Sequence, residues 1–345
     1  MKFKFLAAFL TALLLSNLAG STLASVSDAR KNKLQTNQLV SMLPASDGVV
    51  TMNGRRFFDD ALPRLLSANQ KMLGDVLAQI AAMEQKTGID LRRFDYIAAG
   101  FNTTQVAPGK YDFQPVVIAR GDLSGDAIIA AAKAAAGGKY REERFEGKVL
   151  YIFQTKDLAA ANKPAAAGTV DKVTGQFPEV ALSVVSPNTV VFGMPDRVRT
   201  SIEGKTKIGT DLVDLLNRKE ITVVNMAAKM PTGAGAFLPL DDDNLGKSLD
   251  SIRYLFGNMD VVGEETQMNL TARTVQPADA QNLFDTLDGL KSLGGMLLGG
   301  SKRPDQQLYA RLLQNAKLSK AGSDVALDIK LPQSDVDALI AIIAK

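Results

Sequence analysis

The chain has 345 residues, of which 46% are hydrophobic, and a formal net charge of +3 at pH 7. This is enough to fold one large domain or two ordinary ones, and such a balanced charge gives no reason to expect a nucleic-acid partner. The sequence contains no Cys and no His. Disulfides, thiol nucleophiles, Ser-His-Asp triads and the usual zinc sites are therefore excluded.

The first 24 residues have the three parts of a cleavable signal peptide. Lys2 and Lys4 form a short positive region, residues 5–15 are apolar except for one threonine, and small residues lead to Ala24. This pattern predicts cleavage after Ala24 and a mature protein that is periplasmic or secreted. The apolar run is shorter than the ~20 residues of a spanning helix. An uncleaved membrane anchor is the alternative, and it is the only contact with a membrane that the sequence predicts.

Residues 25–38 are polar, and residues 25–47 are predicted to form a flexible N-terminal segment. The elements predicted for the following half are, in order, a strand at 49–52, helical segments within 57–86, strands at 96–102 and 116–120, a helix at 124–136, hairpins at 140–153 and 180–192, and a short helix from Pro195. Ser124 is placed to cap its helix. Within this half, residues 156–176 are rich in Ala, Gly, Lys and Thr, and predict a flexible loop.

A connector at 205–219 leads to a second half with a similar order. Its predicted elements are a strand at 221–227, a helix at 245–256, a hairpin ending with 267–275, a helix from Pro277 to about Leu293, a helical segment at 305–316, a hairpin at 317–331 and a terminal helix at 334–344. The order β-α-ββ-α-ββ-α thus occurs twice. Residues 117–120 align with 270–273, each in the strand before the central helix, so we predict an internal duplication of 48–204 and 220–345.

The strand patterns indicate how each repeat is layered. Val325, Leu327, Ile329 and Leu331 alternate with more polar residues, which places one face of the strand on a core and the other towards water. Strands joined by hairpins predict mainly antiparallel sheets. The expected fold class is therefore α+β, with two related two-layer α/β sandwiches that carry their helices on one face.

Two candidate sites stand out from the charged residues. Arg120 and Arg273 hold equivalent positions in the two repeats and, if the repeats pack symmetrically, their guanidinium groups would converge on an anionic ligand. The alternative is that each arginine pairs with a nearby acid such as Asp122. Asp241 and Asp243 belong to an acidic run that resembles a metal loop, but Leu245 and Ile252 stand where ligands are needed, which favours a helix start instead.

The glycine pairs at 294–295 and 299–300 flank Met296, Leu297 and Leu298. The order of Ser301 and Lys302 does not fit a phosphate-binding loop, so we interpret the stretch as a helix end and turn, with a hint of a groove for a hydrophobic partner.

The sequence therefore predicts an exported, non-enzymatic binding or interaction protein of the cell envelope, with no cofactor and an unknown protein or small-molecule partner. One alternative is a carboxylate-based hydrolase that acts in a cleft between the repeats. The other is a carrier or chaperone for apolar ligands that uses the Met- and Leu-bearing helices.

Overall fold

The computed structural model describes residues 26–107, 110–157, 177–218, 222–231 and 243–343. The predicted signal segment with Ala24, and most of the predicted 156–176 loop, lie outside the described residues. The strands are β1 (Gly48–Asn53), β2 (Phe94–Ala107), β3 (Lys110–Gly121), β4 (Arg141–Phe145), β5 (Lys148–Gln154), β6 (Glu179–Ser186), β7 (Thr189–Gly193), β8 (Val224–Lys229), β9 (Ile252–Val262), β10 (Glu265–Thr274), β11 (Ala316–Ala321) and β12 (Asp324–Pro332).

The helices of the described residues lie between these strands and at both ends of the described chain. They are α1 (Val26–Val40), α2 (Leu62–Leu65), α3 (Gln70–Thr87), α4 (Gly125–Ala135), α5 (Pro195–Glu203), α6 (Thr210–Leu216), α7 (Asp243–Asp250), α8 (Pro277–Gly299), α9 (Pro304–Asn315) and α10 (Gln333–Ile343). A π-helical turn at Arg56–Ala61 precedes α2, and a 3₁₀ turn at Leu91–Arg93 precedes β2.

The twelve strands of the described residues belong to one sheet, in the order β11-β12-β10-β9-β8-β1-β2-β3-β7-β6-β5-β4. Neighbouring strands are antiparallel throughout, which confirms the α+β class with an antiparallel sheet. The two predicted sheets are joined, because β1 pairs with β8 and places Val50 opposite Met226. This pairing hydrogen-bonds two strand edges that would otherwise be open.

The strand order reads alike outward from the β1–β8 pair, as β1-β2-β3-β7-β6 on one side and β8-β9-β10-β12-β11 on the other. Arg120 of β3 lies opposite Tyr96, and Arg273 of β10 lies opposite Tyr254. The register thus gives the two arginines equivalent places, as the sequence alignment does. β4 and β5 have no counterpart among the described strands of the second half. A similar strand order does not show that residues 48–204 and 220–345 superimpose, so the internal duplication remains a prediction.

Helices cover both faces of the sheet in the first half, where the sequence analysis placed them on one. Ile118 of β3 packs in a cluster with Leu39 of α1, whereas its neighbour Ala119 packs in a second cluster with Ile128 of α4. The physical reason is visible in residues 116–119, which are apolar at successive positions. Such a run suits a strand that is buried on both faces.

The segment that was predicted to be flexible and the segment that was predicted to be a connector both contain helices. In the segment 25–47, α1 buries Leu39 and Val40 completely or nearly so. In the connector 205–219, α6 buries Leu212, Leu215 and Leu216. Both helices pack against the same apolar cluster of the sheet. In α1 the apolar residues are few and are separated by polar ones, so the pattern alone resembles a loop. In α6 the segment has only seven residues, too short to show a helical period.

The helix predicted at 245–256 is wrong in its second half. The structure has the short helix α7 and then the long strand β9, which begins at Ile252. Ile252, Tyr254 and Phe256 are β-branched or aromatic, which favours a strand. Ser124 does occupy the N-cap position of α4, but its side chain makes no capping hydrogen bond.

Candidate functional site

The sheet register keeps Arg120 and Arg273 apart. Both lie on the same face of the sheet, but five strand steps separate β3 from β10. At about 4.8 Å a step, this corresponds to about 24 Å. The two guanidinium groups therefore do not converge on one small anion.

Arg273 is held in an internal ion-pair network. Its Nε and Nη2 donate to the two carboxylate oxygens of Asp324 at 2.7 and 2.8 Å, and Arg218 donates to the same carboxylate at 2.9 Å. Burial alone would raise the pKa of Asp324, but the hydrogen bonds from the two arginines outweigh it and hold that pKa below its usual value. The Phe256 ring lies within cation–π range of both guanidinium groups. This arrangement supports pairing with an acid.

Arg120 has different surroundings. Its Nε donates to the hydroxyl of Thr189 at 3.1 Å, and its Nη1 donates to the amide oxygens of Gln35 and Gln38 at 2.8 and 3.0 Å. The two glutamines belong to α1, so this half-buried arginine ties the N-terminal helix to the sheet. All three acceptors are neutral.

The predicted pairing of Arg120 with Asp122 does not form. Asp122 instead accepts from Nη2 of Arg93 at 2.7 Å. Across the ranges that the structure describes, no carboxylate forms an ion pair with Arg120. Binding of an anion therefore remains a prediction for Arg120, whereas Arg273 already pairs with Asp324.

The acidic run that contains Asp241 and Asp243 is only partly described by the structure. Asp241 lies outside the described residues, and Asp243 is the first residue of α7, at the helix start that the sequence favours. Within the described parts of the chain, no group of three or more acidic side chains is placed to hold a metal ion.

The most conspicuous surface feature is the C-terminal end of α8. The first turns of this helix pack on the sheet, with Ala280 and Leu283 almost fully buried. The last turns expose four large apolar side chains, at 46%, 57%, 78% and 79% of their surface: Leu290, Leu293, Met296 and Leu297. We call these four residues the α8 tip. Residues 290, 293 and 297 share one side of the helix because of its period.

Three of the four glycines in this stretch lie inside the helix, and Gly300 is its C-cap. The sequence predicts an end near Leu293, whereas α8 runs through Gly294 and Gly295 to Gly299. A Cβ atom on Gly294 would lie 2.7 Å from Cδ1 of Leu313, so the glycine lets α9 approach closely. The apolar character of residues 296–298 is visible in the sequence, but their exposure depends on how far the helix continues and where α9 packs.

Basic residues accompany the α8 tip. Lys291 donates through its amine to the carbonyl of Ala316 at 2.6 Å, which fixes this lysine between α8 and the start of β11. Lys302 and Arg303 follow in the exposed turn after the helix, and Arg303 pairs with Asp305 at 2.7 Å. Between Asp288 and Asp305 the sequence contains these three basic residues and no acidic one.

Among the described residues, no helix has the length and apolarity needed to cross a membrane.

Comparison with known proteins gives a loose likeness in structure only. No protein-family model matches the sequence, and no curated protein matches it. Crystal forms I and III of TP0453 are similar with a TM-score of 0.41, 10% identity, and coverage of 88% of this chain and 97% of theirs. Crystal form IV of TP0453 gives a TM-score of 0.44 with 10% identity, over 89% of this chain and 96% of that one.

Proposed function

We propose that this protein is exported and acts in the cell envelope as a non-enzymatic binding protein that holds its partner through the α8 tip. The observation that carries the proposal is the exposure of the four apolar side chains of the tip. Large apolar groups that are clustered and left in water mark interaction surfaces more often than structural ones. The N-terminal signal pattern supports a location outside the cytoplasm.

The junction of the predicted repeats and Arg273 both make contacts that stabilise the fold. The predicted repeats meet as adjacent hydrogen-bonded strands, β1 and β8, whereas the hydrolase hypothesis needs a cleft at that junction. Arg273 already has a carboxylate partner in Asp324. The α8 tip gathers four large exposed apolar side chains within eight residues of one helix.

A test in cells separates export and binding. The full chain is expressed in a bacterial host, and its N-terminus is read by mass spectrometry, with Ser25 expected as the first residue. The wild type is expected in the envelope fraction, and the double variant Leu293→Gln/Leu297→Gln is expected to be released into the soluble exported fraction. Leu34→Gln changes a leucine of α1 and serves as the matched control, because its exposure of 64% lies between those of Leu293 and Leu297.

Two results would refute this proposal. One is an unprocessed protein that stays in the cytoplasm, and the other is envelope retention that the tip variant leaves unchanged. The second candidate function, a carrier for apolar ligands, uses the same exposed leucines and methionine. Native mass spectrometry of the purified protein separates it from the first, because a carrier would retain a small apolar molecule that the tip variant lacks.

A further inference from the structure

The side of α8 that bears the tip changes character along the helix. Thr286 lies one turn before Leu290 on the same side, and Asn282 lies one turn before Thr286. Thr286 uses its hydroxyl within the helix, donating to the carbonyl of Asn282 at 2.7 Å. From Leu290 onward this side is apolar. The change occurs where the helix passes beyond its buried contacts with the sheet, so the packing of the core does not require these leucines.

The size of the tip argues against a stable protein partner that binds here alone. Stable protein interfaces bury about 800 Å² on each partner, through some 20–30 residues. Four aliphatic side chains, even if fully covered, supply only a part of this area. A lipid surface has no such requirement, because a few apolar side chains enter the boundary between headgroups and acyl chains while basic neighbours contact anionic headgroups.

The charges beside the tip fit such a surface. Lys291 lies within the tip, and Lys302 and Arg303 follow it, in a stretch of the sequence that contains no acid. Arg303 pairs with Asp305, which leaves Lys302 as the exposed base of the turn. Lys302 and Arg303 are exposed in the turn that follows the helix. An exposed apolar group followed by an exposed lysine is complementary to anionic lipid, in which an apolar layer lies beneath a negative surface.

We propose that the α8 tip docks this protein onto an anionic lipid surface, with Leu290, Leu293, Met296 and Leu297 in the headgroup–acyl boundary. Lys302 contacts the phosphate groups of the lipid. This inference rests on the proposed function and names the partner that the tip binds.

Fluorescence gives a direct measure because the natural chain contains no Trp. Met296→Trp introduces a single reporter at the tip, and Leu34→Trp introduces one on α1 as the matched control. With vesicles of phosphatidylglycerol and phosphatidylcholine, the emission of the Met296→Trp variant is expected to shift to shorter wavelength. The control is expected to keep its emission maximum. Vesicles of phosphatidylcholine alone are expected to give a much smaller shift at the tip.

Flotation with the same vesicles separates the apolar and the charged contributions. Leu293→Gln/Leu297→Gln is expected to lower partitioning at least tenfold, since more than half of each leucine's surface loses its transfer from water. Leu34→Gln is expected to leave partitioning unchanged. Lys302→Gln is expected to weaken binding about fivefold, whereas Lys207→Gln, on an exposed loop far along the chain, is expected to have no effect. Circular dichroism confirms that each variant is folded.

Several outcomes would overturn the proposal. These are the absence of any shift or flotation, binding that the tip variant leaves unchanged, equal binding to phosphatidylcholine alone, or a tip covered by a second copy, which sedimentation would reveal as a dimer that the tip variant dissociates. If cells retain the wild type in the envelope through the tip while purified protein ignores vesicles, the partner is a protein. That result refutes lipid docking and leaves the proposed function standing.

Discussion

Helix α1 offers a sharp test of the fold because two of its leucines have opposite environments. Leu39 is completely buried, in one apolar cluster with Val49 of β1 and Ile118 of β3. Leu34 lies on the same helix with 64% of its surface exposed. Leu→Ala at either position removes the same atoms and hardly changes helix propensity. Any difference between the two variants therefore reports tertiary packing.

The expected magnitudes follow from the two environments. Replacing Leu39 by Ala removes about three buried carbon groups, worth about 2.4 kcal/mol at about 0.8 kcal/mol each, and leaves a cavity that adds to the loss. A destabilisation of about 3 kcal/mol is expected, within the range of about 2–5 kcal/mol for buried leucines. Leu34→Ala is expected to change the free energy of unfolding by less than about 0.5 kcal/mol.

Urea denaturation followed by circular dichroism measures both variants against the wild type. An equal m-value in all three shows that the same surface unfolds. Amide hydrogen exchange provides a second measurement, since backbone amides at the end of α1 are expected to be as protected as those of the central strands. A Leu39→Ala variant that loses less than about 1 kcal/mol, or a wild-type α1 that exchanges like a terminus, would refute the docking of α1.

Three further predictions concern single sites. Asp324→Asn is expected to destabilise the protein by about 1–3 kcal/mol at pH 7. Because the folded-state pKa of this carboxyl is lowered, its contribution to stability is complete above the unfolded pKa of about 3.9 and is lost as the pH falls through the folded pKa. A stability difference from wild type that stays constant down to pH 2 in urea titrations would contradict this. Burial raises the pKa of Asp260, so the contribution of its protonated form to stability is complete below the unfolded pKa and is lost as the pH rises through the folded pKa. Carbon-13 NMR of the carboxyl is expected to show a titration midpoint above about 3.9. A lower titration midpoint would count against the burial of this carboxyl. Gly257→Ala is expected to lower the free energy of unfolding by more than about 2 kcal/mol, since its Cβ would lie 2.1 Å from the carbonyl oxygen of Asn269. Gly74→Ala, with open space around it, is expected to raise the free energy of unfolding by about 0.5–1 kcal/mol. Similar melting temperatures for the two variants would contradict this reasoning.

Several features of the fold were accessible from the sequence because they depend on local patterns. The hairpins of β4–β5, β6–β7 and β11–β12 lie where alternation and turn residues predict them. The alignment of 117–120 with 270–273 agrees with the strand register, in which Arg120 and Arg273 have equivalent places. Helix α8 was expected to start at Pro277, and it does.

The candidate site was only partly predictable. The apolar residues at 296–298 suggest a hydrophobic contact, but a sequence does not distinguish a buried leucine from an exposed one. Leu283 and Leu293 lie on one helix and are chemically identical, yet the first is 1% exposed and the second 57% exposed. Leu283 packs in a cluster with Ile252 and Val325 of the sheet, whereas Leu293 lies on another side of the helix and belongs to no buried cluster of the described residues.

The amino-acid sequence by itself determined where most strands turn and where most helices start. It also determined that the chain contains no thiol and no imidazole side chain. The tertiary structure alone decided that β1 and β8 join the halves into one sheet, that α1 and α6 cover it, and that the α8 tip stays in water. These features depend on contacts between residues far apart in the chain, and pairing across such distances leaves no periodic signal in either partner.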